Sequence, residues 1–239
     1  MSRVSPPDYV TTLFTQGVLR AAGVFGAIGA LIAALGDLSS AFLPAPPPAM
    51  NTVLWLSLAE FVTFLTPKTQ AELLVGHYLG VLFIPLNVLG LWHVYLGLAH
   101  RGGRFPVVFL VVGTFIAVAG AAFHGMVGLA VTAVRAGDGA TLEAAQAYFE
   151  PFGWILVLTA GTLFLGLAGW IVTRRSAFPR WVVLLSPGPV QLWILGLAYV
   201  VPLDLSVALL VSGFNLSIFV FLVVSTVTLW AYDPLNPGV

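Results

Sequence analysis

"GTFIAVAGAAFHGMVGLAV", residues 113–131, is a run of apolar and small residues with one ionisable side chain, His124. A run of this length can cross the ~30 Å hydrocarbon core of a bilayer as a helix. An imidazole at that depth is costly unless it has a partner, and intramembrane ionisable residues usually mark a site. The stretch therefore predicts a membrane-spanning helix and a polar site within it.

The composition of the whole chain agrees with a membrane protein. Of its 239 residues, 59% are hydrophobic and 8% are charged, which lies far outside the range of soluble domains. Apolar runs long enough to span a bilayer occur at about 20–43, 73–99, 106–134, 152–173, 182–200 and 204–230. We therefore expect an all-α, polytopic transmembrane helix bundle of six spans that forms a single domain over residues 1–239.

Charge and cysteine content narrow the function classes. The formal net charge of zero argues against a nucleic-acid partner. The absence of cysteine excludes disulfides, thiolate catalysis and metal sites with thiolate ligands. The first apolar run is longer than a signal-peptide core and carries Asp37, so we expect it to be retained as an anchor.

The distribution of cations orients the chain. With the N-terminus inside, seven of the nine cations fall on the inner side, namely Arg3, Arg20, Arg101, Arg104, Arg174, Arg175 and Arg180. Only Lys68 and Arg135 then lie outside. The positive-inside rule predicts that both termini are cytoplasmic. We expect a multi-pass protein of the cell membrane, specifically the bacterial cytoplasmic membrane.

A further apolar segment, "MNTVLWLSLAEFVTFLTP" at residues 50–67, is not counted as a span. Counting it would reverse the topology downstream and move five arginines outside. The segment is also short, and Ser57, Glu60 and Thr63 form a polar strip along it. We therefore expect an interfacial or re-entrant helix at about 51–66 that lies over the outer mouth of the bundle.

Two spans carry matching stripes of small residues that lead to an ionisable group. The stripes are Gly26, Ala30, Ala33 and Asp37 in the first span, and Gly113, Ala117, Gly120 and His124 in the third. In each, the spacing places all four residues on one helical face. Small residues allow close helix packing, so we expect the stripes to face each other or a common partner.

Depth along the spans predicts a polar layer. At ~1.5 Å per residue from the inner arginines, Asp37 and His124 lie at the same depth in the outer half. We predict that these two are catalytic. The predicted binding residues are Asn215, Trp154 and Tyr199 at that depth, His77 a turn above, Glu60 on the outer segment, and Gln191 near a helix break. The alternatives are an interhelical hydrogen bond for His124 and an interfacial position for His77, and we expect His93 and His100 to be interfacial.

Two proline positions predict breaks within the spans. Pro85, near Asn87, and "SPGP" at residues 186–189 remove helical hydrogen bonds and free carbonyl groups inside the membrane. We expect kinks and a cavity that Gln191 lines. A purely architectural role is the alternative.

Enzyme motifs give little further guidance. The sequence contains no HExxH, GxSxG or P-loop motif, and its single lysine lies outside the spans, which excludes a retinal Schiff base. Five short motifs, "GD" at 36–37, "GHYLG" at 76–80, "AAFHG" at 121–125, "SPGP" and "FN" at 214–215, resemble a family of six-span bacterial and eukaryotic integral membrane proteins of unknown function. That resemblance points to Asp37, Pro85, His124, Pro187 and Asn215 without giving them a role.

A second resemblance is to seven-span membrane hydrolases that use an Asp, a Ser and three His around zinc. The paired histidines four apart in the last span of that family are missing here, so the metal stays unknown.

These observations favour a protein that binds an apolar, lipid-like molecule from the outer leaflet. Asp37 and His124 would then supply acid–base chemistry, as in a lipid isomerase, cyclase or hydrolase. The alternatives are a proton-coupled transporter or carrier, a non-enzymatic sensor or partner subunit, and a haem protein with His77 and His124 as ligands. Membrane lipids are the expected partners, and cofactor and oligomeric state are left open.

Overall fold

The computed structural model describes residues 9–41, 65 and 67–232, and within these ranges the chain is helical with no strand. Seven α-helices occur in the described residues: α1 Tyr9–Ala41, α2 Gln70–Phe83, α3 Asn87–Leu98, α4 Phe105–Arg135, α5 Gly139–Val172, α6 Pro187–Ala198 and α7 Leu203–Thr228. Short 3-10 segments occur at Ile84–Leu86, Ala99–Arg101 and Arg180–Leu185. The all-α prediction is confirmed for these residues.

Five helical segments of the described chain are long and apolar enough to cross a membrane: Thr15–Ser40, Gln70–Arg101, Phe105–Arg135, Gly139–Val172 and Leu205–Thr228. They are compatible with a membrane protein. The apolar run predicted at 182–200 is instead divided between the last 3-10 segment and the twelve-residue α6. The helix expected at about 51–66, with Glu60, lies outside the described residues.

Helices α4 and α5 form a long hairpin. At ~1.5 Å per residue they are about 46 and 51 Å long. Helix α5 begins at Gly139, well before the apolar run predicted at 152. Only three residues connect the two helices. Gly137 among them adopts a φ of 72°, a backbone conformation that is strained for residues with a side chain. Asp138 caps α5, and the hydroxyl and N–H of Thr141, which donate to it, hold the pKa of that carboxyl below its usual range.

Proline interrupts two of the helical segments, as the sequence predicts. Pro85 lies in the 3-10 turn between α2 and α3, where it removes a backbone donor. Pro187 is the first residue of α6, and Ser186 before it is extended and fully buried. Each break therefore joins two shorter helices inside an apolar run.

One end of the bundle, here called the arginine end, gathers the start of α1 and the ends of α3, α5 and α7. Arg20 Nε donates to the carbonyl of Trp230 at 2.8 Å, which places the end of α7 beside the start of α1. Trp170 Nε1 donates to the carbonyl of Leu98 at 3.1 Å, which brings the end of α5 to the end of α3. Helices α1 and α7 are therefore antiparallel.

The opposite end gathers the end of α1, the start of α2 and the end of α4. Lys68 Nζ donates to the carbonyl of Ser39 at 3.0 Å, where a cation also complements the dipole at the C-terminus of α1. Arg135 Nη1 donates to Gln70 Oε1 at 2.9 Å and links α4 to α2. Ser39 and Lys68 therefore lie at the same end of the bundle.

The two stripes of small residues contact a common partner, the interrupted pair α2 and α3. Gly26 of α1 lies directly on the backbone of Gly90 in α3, since a Cβ at Gly26 would be 2.4 Å from the Cα of Gly90. In the middle of the bundle, Ala33 of α1 and Ala117 of α4 are both buried in one cluster with Ile84. The stripes thus place α1 and α4 on the two sides of α2 and α3.

Candidate functional site

Asp37, His124 and Asn215 come together in the half of the bundle away from the arginine end. The carboxyl group of Asp37 is only 6% exposed. Asn215 Nδ2 donates to Asp37 Oδ2 at 2.8 Å. His124 Nε2 lies 3.6 Å from Asp37 Oδ1, within ion-pair reach and slightly longer than a hydrogen bond. We call these three residues the Asp37 cluster.

Each member of the Asp37 cluster comes from a different long helix. Asp37 lies in the last two turns of α1, His124 lies in the second half of α4, and Asn215 lies near the middle of α7. The matched stripes and the shared depth predict that His124 lies within hydrogen-bonding reach of Asp37, with Asn215 nearby, and the structure brings the three together at these distances.

Glycines of α1 and α2 allow this close approach. A Cβ at Gly80 would lie 2.6 Å from Nδ1 of His124, so the imidazole ring rests on the backbone of α2 at that residue. A Cβ at Gly36 would lie 2.9 Å from the carbonyl oxygen of Gly76, so α1 and α2 also touch beside Asp37. The glycines of "GD" and "GHYLG" therefore have a packing role at this site.

A groove of about 250 Å³ lies between α2 and α4 and includes His77. Its lining is Gln70, Leu73, Leu74, His77, Tyr78 and Val81 from α2, and Gly125, Gly128, Leu129 and Thr132 from α4. The His77 ring lies over Gly128, where a Cβ would be 3.1 Å from it. His77 Nε2 is buried and has no hydrogen-bond partner among the described residues. We call this feature the α2–α4 groove.

The other predicted binding residues do not join the Asp37 cluster. Gln191 of α6 packs against Gly213, which is two residues, or about 200°, around α7 from Asn215. Trp154 and Tyr199 are 45% and 65% exposed on the exterior of the bundle. Residue counts predict the depth of these side chains, but they do not specify the face of a helix that a side chain occupies.

The structure places His93 beside Leu19 at the arginine end, inside the bundle and not on its surface. This side chain is 1% exposed, and its Nδ1 lies 2.9 Å from the carbonyl oxygen of Leu19. The ring also fills the space beside Gly23 of α1. A signal for this burial exists in the sequence, because Gly90, His93 and Gly97 lie on one face of α3 and repeat the pattern of small residues around an ionisable group.

The Asp37 cluster can exchange protons and form hydrogen bonds. A carboxyl group and an imidazole this close in a low-dielectric interior do not ionise independently. Asn215 donates to the carboxyl group, and the imidazole lies within ion-pair reach of the same group. General acid–base catalysis uses carboxyl groups and imidazoles placed in this way. The described residues contain no group of three or more His, Cys, Asp or Glu side chains that could hold a metal ion.

Comparison with protein-family models, with curated proteins and with solved structures finds no match for this chain. The resemblance to a six-span family stays a prediction. The site is therefore interpreted from its own geometry.

Proposed function

We propose that the chain is an integral membrane protein with six crossings and cytoplasmic termini. The end of α5 lies at the arginine end and α7 begins at the opposite end, so residues 180–202 connect the two ends. A 3-10 segment of six residues followed by twelve α-helical residues rises by about 30 Å, the thickness of the hydrocarbon core. The fifth of the six crossings is thus an interrupted helix.

The positions of Ser39 and Lys68 support a segment between α1 and α2 that does not cross the membrane. Both residues lie at the end of the bundle opposite the arginine end. The residues between them are too few for two further crossings of ~20 residues each. The segment at about 51–66 then lies on the outer side, as the distribution of arginines predicts.

Single cysteines test this topology, and the chain has no native cysteine to remove. We expect an impermeant maleimide to label Cys at positions 51, 70, 136 and 200 from outside, and Cys at position 173 only after permeabilisation. Labelling of position 200 from the same side as position 173 would contradict the fifth crossing. Labelling of position 51 from the inner side would show that residues 51–66 cross.

The function that the geometry supports best is the binding of an apolar, lipid-like molecule, with acid–base chemistry at the Asp37 cluster. The observation that carries the proposal is the convergence of Asp37, His124 and Asn215 from three helices at one buried point. His124 would give a proton to the ligand or take one from it. Asp37 would orient the imidazole, and Asn215 would hold Asp37.

Lipids that copurify with the protein test this function. Mass spectrometry of lipid extracts should identify a species enriched over the bulk membrane, and the purified protein should convert that species into a product. We expect His124→Gln and Asp37→Asn to abolish the conversion while His100→Gln, at the arginine end, preserves it. His124→Ala should reduce thermal stability in detergent less than it reduces conversion, whereas a purely structural histidine would have the opposite order of effects.

A proton-coupled carrier is the second candidate, and the two interrupted helical segments favour it. Transporters often place discontinuous helices beside their substrate and ion sites, and two interruptions occur in the described residues, a 3-10 turn at Pro85 and the extended Ser186. A carrier would give substrate flux in proteoliposomes that is lost in Asp37→Asn. The haem alternative, with His77 and His124 as ligands, stays a prediction.

A further inference from the structure

The α2–α4 groove has the length and graded polarity of one lipid leaflet. From Gln70 to Val81 it extends about 16 Å along α2, close to half of the ~30 Å hydrocarbon core. Gln70 and Thr132 lie at the end that the proposed topology places outside, and Val81 and Gly125 lie at the deep end. A lipid in the outer leaflet has the same order, with its polar group outside and its chain within.

The shape of the groove suits one chain of a lipid. Its floor is open at Gly125, where a Cβ would meet no atom within 4 Å. Its walls include exposed side chains of Leu74, Tyr78 and Leu129, and no lining residue is charged. At about 250 Å³ the groove is smaller than a site for a whole drug-sized ligand, so it accommodates a part of a larger lipid or a single-chain lipid.

The ring of His77 lines the middle of this apolar groove. Its Nε2 is buried without a hydrogen-bond partner in the described part of the chain, which is costly for a polar atom. His77 lies about 10 Å from Gln70 along the helix axis. Nε2 is buried on the side of the ring that faces Gly128. Rotation of the ring about the Cβ–Cγ bond would turn it toward the groove, where an oxygen atom just below a lipid headgroup, in an ester or a hydroxyl, lies at this depth.

We propose that the α2–α4 groove binds a single acyl chain whose ester or hydroxyl oxygen hydrogen-bonds to His77. The rest of the polar group lies at the outer end, beside Thr132 and the hydrogen-bonded pair Arg135 and Gln70. The inference deepens the proposed function, on which it rests, because it names the ligand as an oxygen-bearing acyl lipid and places its chain outside the Asp37 cluster.

Photolabelling of the full chain in nanodiscs tests the groove. The probes are a monoacylglycerol with a diazirine in its acyl chain and a diazirine alkane of equal length. We expect the monoacylglycerol to label peptides of α2 and α4 several-fold more than the alkane does. Gly125→Leu, which fills the groove, should reduce this labelling to background.

Gly161→Leu is the matched control for the filled groove. Gly161 is also exposed inside a long helix, α5, and a Cβ at this position would meet no atom within 4 Å. This variant should retain the labelling of α2 and α4. Equal labelling in the two variants would overturn the proposal, because the groove would then contribute nothing to binding.

His77→Phe tests the polar contact while it preserves an aromatic ring in the groove. We expect monoacylglycerol labelling to fall to the level of the alkane, and an unchanged ratio would overturn the role of His77. Asp37→Asn separates this inference from the proposed function. This variant should abolish the lipid conversion but retain the labelling of the groove. Groove labelling without any conversion by the wild type would remove the proposed chemistry and leave the groove standing. Conversion without groove labelling would leave the function standing and remove the groove.

Discussion

Gly26→Val is expected to prevent formation of the native bundle or to destabilise it by more than the ~1–3 kcal/mol of ordinary overpacking. The physical reason is that the new side chain would meet backbone atoms. A Cβ at Gly26 would lie 2.4 Å from the Cα and 2.5 Å from the N of Gly90. No rotamer change relieves a contact between two backbones, so α1 and α3 would have to separate.

The measurement is size-exclusion chromatography with thermal unfolding in detergent. Gly17→Val is the matched control, because Gly17 lies in the same helix and a Cβ there meets no atom within 4 Å. It should behave like the wild type apart from the modest propensity change of a β-branched residue. A Gly26→Val protein as stable as Gly17→Val would contradict the close contact of α1 with α3.

Asp37→Leu and Asn215→Leu are expected to be strongly non-additive. Each single change leaves one member of the Asn215–Asp37 hydrogen bond buried without its partner, which costs about 1–3 kcal/mol. Asn215 Nδ2 loses its acceptor in the first variant, and Asp37 Oδ2 loses its donor in the second. The double variant should be destabilised by little more than Asp37→Leu alone, because neither member of the hydrogen bond remains. The loss of the neighbour of His124 is common to these two variants.

Reversible unfolding in mixed micelles gives the free energy of unfolding of each protein. The differences of the three variants from the wild type then give the coupling energy between Asp37 and Asn215. Ser212→Ala is the control in α7, since the buried hydroxyl of Ser212 bonds only to the carbonyl of Ala208 in its own helix. Its effect should be smaller than that of Asn215→Leu. Additive effects of Asp37→Leu and Asn215→Leu would show that these two side chains do not interact.

The sequence predicts the meeting of Asp37, His124 and Asn215 because helical rise is nearly constant. Counting residues from the arginines gives the depth of a residue, and small-residue stripes indicate the face that packs. Trp154 and Tyr199 have the expected depth but no such stripe, and they lie on the exterior. Depth without a face is therefore insufficient to predict a contact.

Two features could not be predicted from the sequence, because they depend on how the helices pack. His93 is close in sequence to the arginines that follow α3, and that proximity predicts its depth but not its burial against Leu19 and Gly23 of α1. The α2–α4 groove depends on how far apart two helices lie when glycines such as Gly125 and Gly128 face the space between them. Helix separation is set by all the neighbouring side chains, so the sequence of either helix alone does not define it.

The α4 and α5 hairpin has a practical consequence for electron microscopy. Both helices are at least about 15 Å longer than a hydrocarbon core, and only Ala136, Gly137 and Asp138 join them. A chain of 239 residues with no described soluble domain offers little to align particle images on when it is enclosed in a micelle. A small rigid protein inserted at Gly137, held by both helices at once, would provide an orientation marker outside the micelle.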